Sequence, residues 1–164
     1  MDSQYYINKL KLKPHPEGGY YKEIYKSKQM ISQNALGNYY SGDRSCGTAI
    51  YYLLEKDDFS CFHRVKSDEL WHHYDGATIE LHMISPQGEY TSSLVGKDDE
   101  GAEPFAFVPA GYWFAAGLLH NKDFALTGCT VSPGFEFDDF EMAKRPELVK
   151  LYPKFKELII KYTK

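Results

Sequence analysis

No stretch of this chain is both long and apolar enough to cross a bilayer. The longest apolar run, residues 105–119, is broken by Pro109, Gly111 and Gly117 and is shorter than the roughly 18 residues that a spanning helix needs. Met1-Asp2-Ser3-Gln4 lacks the basic segment and apolar core of a secretory signal. Cysteine is scarce: Cys46, Cys61 and Cys129 form no Cys-x-x-Cys pair, so reduced, buried thiols in a reducing compartment are expected. An excess of positive charge is also missing. Nineteen Lys and Arg face 23 Asp and Glu, a net charge of −4, which leaves no footprint for nucleic acid or an anionic membrane. A soluble, cytoplasmic protein is the expectation. Tryptophan is rare, with 2 residues, whereas Tyr (14) and Phe (10) are abundant. Those two types favour half-buried pleated surfaces, so the composition leans towards sheet.

The chain reads as one domain, 1–164, with no internal repeat and no low-complexity segment. Ser3 is placed to cap a short helix that Pro14 and Pro16 end. Tyr20–Lys26, Thr48–Leu54, Phe59–Lys66, Glu69–Tyr74, Thr78–Ile84, Glu89–Val95, Phe105–Val108, Tyr112–Ala116 and Ala125–Val131 read as strands. Asp75-Gly76 is a hairpin signal, and residues 27–47 read as a polar loop holding at most one hairpin. Leu148, Leu151, Tyr152, Phe155, Leu158, Ile159 and Tyr162 form a helical apolar stripe that Pro153 should split in two. Short strands at near-regular spacing predict an all-β sandwich or barrel rather than βαβ units.

The chemistry concentrates in residues 61–76, where His63 and Glu69 stand six positions apart. If 59–66 and 69–74 are antiparallel strands, alternation puts His63 and Val65 on one face, and Glu69, Trp71 and His73 on one face of the next strand. A barrel interior that is polar and aromatic at once suits a small molecule. A buried histidine beside a carboxylate has a fixed tautomer and a tuned pKa, as a general base requires. Tyr52, Tyr74 or Tyr112 can supply a donor, and Trp71 or Trp113 a stacking platform. His15-Pro16-Glu17-Gly18-Gly19 reads as a turn serving backbone geometry. Glu136, Asp138 and Asp139 read as a solvated acidic turn.

His63, Glu69 and Gly76 match three positions of the first cupin motif, G-x5-H-x-H-x3–4-E-x6-G. Pro109 and Gly111 match the second, G-x5-P-x-G-x2-H-x3-N. Val65, Phe114 and Leu118 stand where that pattern has His, His and Asn. The segments 14–21, 48–54, 67–72, 108–113 and 128–140 resemble one subgroup, the Cupin_5 family of unknown function, across residues 4–145. The resemblance implies a double-stranded β-helix (cupin jelly-roll barrel) with short terminal helices. It also implies a likeness to keto-sugar epimerases and pairing as a homodimer, for which Tyr20–Tyr25 offers a seam. With Val65 and Phe114 unable to coordinate, no metal ligands and no cofactor are assigned; a divalent metal would need His73 or His82 as a substitute. The expected site has His63 and Glu69 as catalytic residues, with Trp71, His73, Tyr52 and Trp113 around a carbohydrate-like metabolite. The expected reaction is a metal-independent isomerisation or epimerisation, the alternative a non-catalytic binding or sensing barrel.

Overall fold

The computed structural model describes residues 1–164, apart from the side chain of Asn121. Helix α1 (Ser3–Leu10) leads into β1 (Lys13–Pro14) and β2 (Tyr20–Lys26). A small excursion follows: β3 (Met30–Ile31), α2 (Gln33–Leu36) and β4 (Arg44–Ser45). The main strands are β5 (Thr48–Glu55), β6 (Phe59–Val65), β7 (Asp68–Gly76), β8 (Ile79–Ile84), β9 (Tyr90–Val95), β10 (Phe105–Val108), β11 (Trp113–Leu118) and β12 (Phe124–Ser132). A 3₁₀ turn, Phe137–Asp139, precedes β13 (Phe140–Met142), and α3 (Arg145–Leu151) and α4 (Lys156–Lys161) close the chain. The strands form two antiparallel sheets, β1-β2-β5-β12-β7-β10 and β13-β6-β11-β8-β9, with β3 and β4 as a separate pair. This is the all-β jelly-roll barrel expected, with short helices at both ends.

Local signals account for most elements. The first helix is capped one residue earlier than Ser3: Asp2 Oδ1 accepts the Tyr5 N–H at 2.8 Å, and Ser3 instead donates to Glu55 Oε1. Pro153 separates α3 from α4 as expected. Two pairings expected from sequence are corrected. β6 and β7 do not pair; they lie in opposite sheets and face each other across the interior. Nor is Asp75-Gly76 a hairpin, because β7 and β8 also belong to different sheets. Gly76 has φ 84°, and a Cβ there would sit 2.3 Å from the Phe124 carbonyl oxygen. That oxygen accepts the Ala77 N–H, which turns the chain across the barrel rather than back along it.

The core lies between the sheets, built on Tyr52, Leu54, Trp71, Leu81, Met83 and Phe114. A second cluster lies outside the smaller sheet, where Phe62, Ile84 and Trp113 pack beneath Leu148, Tyr152, Ile159 and Tyr162. Strand alternation explains the split on β11, with Phe114 and Ala116 facing in and Trp113 and Ala115 facing the terminal helices. Asp139 is also a correction. It is buried and takes a bidentate ion pair from Arg44, at 2.7 and 2.8 Å.

Candidate functional site

A cavity of about 240 Å³ opens between the sheets. β6 contributes His63 and Val65, β7 contributes Glu69, and β12 contributes Cys129 and Val131. Thr48 and Ile50 come from β5, and Lys13, Tyr21 and Glu23 line the cavity from β1 and β2. Phe135, Phe137 and Phe140 form an aromatic wall, and the turn after β1 adds His15 and Glu17.

Glu17 arrives by backbone design. The Cys61 N–H donates to Glu17 O, and Gly18 N–H to His15 O, pressing the turn against β6. Gly18 has φ 114°, and a Cβ there would lie 2.0 Å from the Phe59 carbonyl oxygen, so only glycine fits. Tyr52 Oη donates to Gly18 O at 2.8 Å from behind. The Glu17 side chain is then held at both oxygens. Ser60 Oγ donates to Oε1 at 2.9 Å, and Oε2 lies 3.1 Å from His63 Nε2.

The His63 tautomer follows from its other partner. Nδ1 lies 2.7 Å from Cys61 O; a carbonyl only accepts, so Nδ1 carries hydrogen. Nε2 of the neutral ring is therefore an acceptor, and the Glu17–His63 contact has room for one proton. The distance would suit an ion pair, but both members are buried. Burial pulls His63 down to about 4, only partly offset by the bond to Cys61 O. Burial raises Glu17, against opposing effects of His15, Ser60 and Tyr52. When this contact holds a proton, burial of both groups places it on the carboxyl rather than on the imidazole. His15 Nδ1 accepts the Glu17 N–H at 3.2 Å. In that tautomer its 3.5 Å approach to Oε2 carries no donated hydrogen.

Glu69 is the second acid of the cavity. Burial, then the charge of Glu17, push it up to about 8. The Cys129 thiol and the Trp71 indole favour its ionised form. Even so, Trp71 Nε1 has no hydrogen-bond partner of normal geometry among the described residues. Near neutral pH the chamber thus presents a protonated Glu69 carboxyl across from a Glu17–His63 contact in which burial disfavours an ion pair.

His63 and Glu69 do share this cavity, but the acid touching His63 is Glu17. The other expected lining residues are corrected. Tyr52 and Trp71 stack edge to face, 5.5 Å between ring centroids, in the packed core and do not line the cavity. His73 shares the Glu69 face of β7 but sits four residues on, roughly 13 Å along the strand, where Nε2 meets Ala77 O at 3.1 Å. Trp113 faces the terminal helices with the Arg64 guanidinium 4.6 Å over its ring. Among the proposed donors, Tyr74 is exposed and Tyr112 packs against the core. Glu17 was not foreseen from the sequence. Its signal was a carboxylate before two glycines, beside a histidine, in a turn between strands.

Cupin barrels commonly hold a metal on the positions that motif marks, and the residues here do not fit one. Val65 presents hydrocarbon to the cavity. Phe114 pairs in register with His63 across β6 and β11 and packs its ring 4.1 Å from the imidazole. Both His63 nitrogens have partners. His82 is engaged by Tyr90 and Tyr162 beneath the terminal helices. Among the described residues no three His, Cys, Asp or Glu side chains converge on a metal position.

Two facing antiparallel sheets with His63 and Glu69 at motif positions define a cupin. The chain belongs to the Cupin_5 family, described as Cupin superfamily (DUF985), whose sequence pattern matches residues 4–143. Uncharacterized protein YML079W of Saccharomyces cerevisiae is 32% identical over 157 residues, covering 90% of this chain and 78% of that protein. Protein SO0799 from Shewanella oneidensis superposes with a TM-score of 0.88 at 37% identity, covering 100% of this chain and 98% of that one. A hypothetical protein from Leishmania major gives 0.90 at 32%, covering 99% of each. Oxalate decarboxylase from Bacillus subtilis shares the fold alone: TM-score 0.55 at 13% identity, over 91% of this chain and 36% of that one.

Proposed function

We propose that this cupin binds a small carbohydrate-like carbonyl compound in the 240 Å³ cavity and catalyses a metal-independent proton transfer that isomerises or epimerises it. One observation carries this reading: the Glu17–His63 pair, at 3.1 Å, faces the same cavity as Glu69. With its shared proton released, the pair holds two lone pairs against each other and is a base. It takes a proton from the carbon next to the substrate carbonyl, the electron pair moves to the carbonyl oxygen, and Glu69 donates its proton there. Return of a proton to a neighbouring carbon, or to the opposite face, completes the change.

Wild-type protein in D₂O with a panel of aldoses, ketoses and their phosphates should wash out a substrate C–H signal in proton NMR. His63→Ala and Glu69→Gln should not. Exchange should fall as pH rises through about 8, where Glu69 loses its proton. A ligand that binds yet shows no exchange in wild type removes the catalytic reading. It leaves a metabolite-binding or sensing barrel, which the low basicity of His63, near 4, favours.

A homodimer belongs to the same proposal. Paired registers place Tyr25, Ala49, Thr130, Leu70 and Phe107 in one row across the outer face of the larger sheet, with Tyr25 and Phe107 exposed. Light scattering is expected to give twice 18.9 kDa; a monomeric mass counts against it.

A further inference from the structure

Arg44 does not line the cavity, yet it is 3% exposed, among the most enclosed charges in the molecule. Its guanidinium grips Asp139 through Nε and Nη2 at 2.7 and 2.8 Å. Nη1 also donates to Asp43 O and Nη2 to Ser41 Oγ, and the Tyr40 ring lies 5.6 Å from its Cζ. Four of its five N–H donors are used within the β3–β4 excursion or on Asp139. A guanidinium held in this way is a rigid fork rather than a mobile surface charge.

Asp139 sits between two members of the aromatic wall. It ends the 3₁₀ turn that begins at Phe137, and Phe140 follows it. Phe140 pairs with Val65 across β13 and β6 and places its ring 5.2 Å from that of His63. A surface cleft, also of about 240 Å³, lies beyond: Val65 and Phe140 border both spaces, and Lys66, Asp138 and Asp139 line the cleft side. Val65 and Phe140 are thus common to the walls of the chamber and the cleft.

We propose that Arg44 and Asp139 are positioning residues of the chamber: their ion pair holds Phe140 against His63 and Phe137 beside His15 and keeps the acid–base cavity separate from the cleft. This goes beyond the reaction proposed above and holds whether the ligand is converted or only bound. It also assigns a purpose to the excursion between β2 and β5, which otherwise adds a polar flap to the barrel.

Cys129 and Cys61 provide the test. Both are buried, but only Cys129 lines the chamber. Folded full-length protein is treated with N-ethylmaleimide, and labelling of each cysteine is followed by peptide mass spectrometry. Arg44→Met and the milder, near-isosteric Asp139→Asn should each raise the Cys129-to-Cys61 rate ratio by about ten-fold through local opening, with Arg44→Lys falling between them and wild type. Phe140→Ala, which removes the wall and leaves the ion pair, should match them. If both cysteines accelerate together, the pair is a general structural staple and the proposal fails. It also fails if folded Asp139→Asn keeps the wild-type ratio while Phe140→Ala raises it, because the wall would then stand without Arg44.

Discussion

Glu69→Gln is expected to raise the thermal midpoint at pH 8 by on the order of 10 °C and to change it little at pH 4. The folded protein holds this carboxyl up to about 8, against an ordinary value of 4.5. Below pH 4.5 both folded and unfolded chains are protonated, so the full stability is present. As pH rises, the unfolded chain releases the proton while the folded chain retains it. Each pH unit in that window removes about 1.4 kcal/mol. Above the folded value the loss is complete, on the order of 5 kcal/mol. Glutamine keeps the shape and removes the ionisation. Calorimetry at the two pH values reads the difference, and an equal shift at both would show that Glu69 is not held protonated by burial. His63 acts in the opposite sense. Its folded value near 4 lies below the ordinary 6.5, so stability present above 6.5 is lost as pH falls towards 4.

Glu17→Gln is expected to lower solvent exchange into substrate by roughly 10²–10⁴-fold, the range removal of a general base produces, while leaving the fold intact. The amide oxygen still accepts from Ser60 Oγ. The amide nitrogen now donates permanently to His63 Nε2, so the pair cannot take up the substrate proton. Because Glu17 and His63 act as one unit, Glu17→Gln/His63→Ala should be no worse than either single change. Any residual exchange should lose its alkaline limb at lower pH, since the Glu17 charge is one cause of the high Glu69 value. Additive losses in the double variant would show that the two residues act separately. A Glu17→Gln protein with undiminished exchange would remove the pair from the mechanism.

How much of the site could be read beforehand depended on distance along the chain. His63 and Glu69 lie on consecutive strands, and alternation alone points both inward. Trp71 also points inward, but its size commits it to the core against Tyr52, a fact about volume that period-two patterning does not contain. Trp113 illustrates the converse. Its strand was recognised, yet whether it faced the barrel or the terminal helices depended on what covered the outer surface of the smaller sheet. Glu17 was the hardest to foresee. A carboxylate in a Pro-Gly turn is ordinarily solvated, and only docking of that turn on β6 buries it against a histidine 46 residues away.

Composition and local pattern alone determined the main strands, the first helix, the broken terminal helix and the absence of a helical membrane span, because each depends on neighbours within a few residues. Tertiary structure decided which strands share a sheet, which acid meets His63, and that Arg44 meets Asp139. Pairing and burial are collective: a side chain's partner and its protonation depend on everything packed around it, and alternation along one strand specifies a face but never what lies opposite.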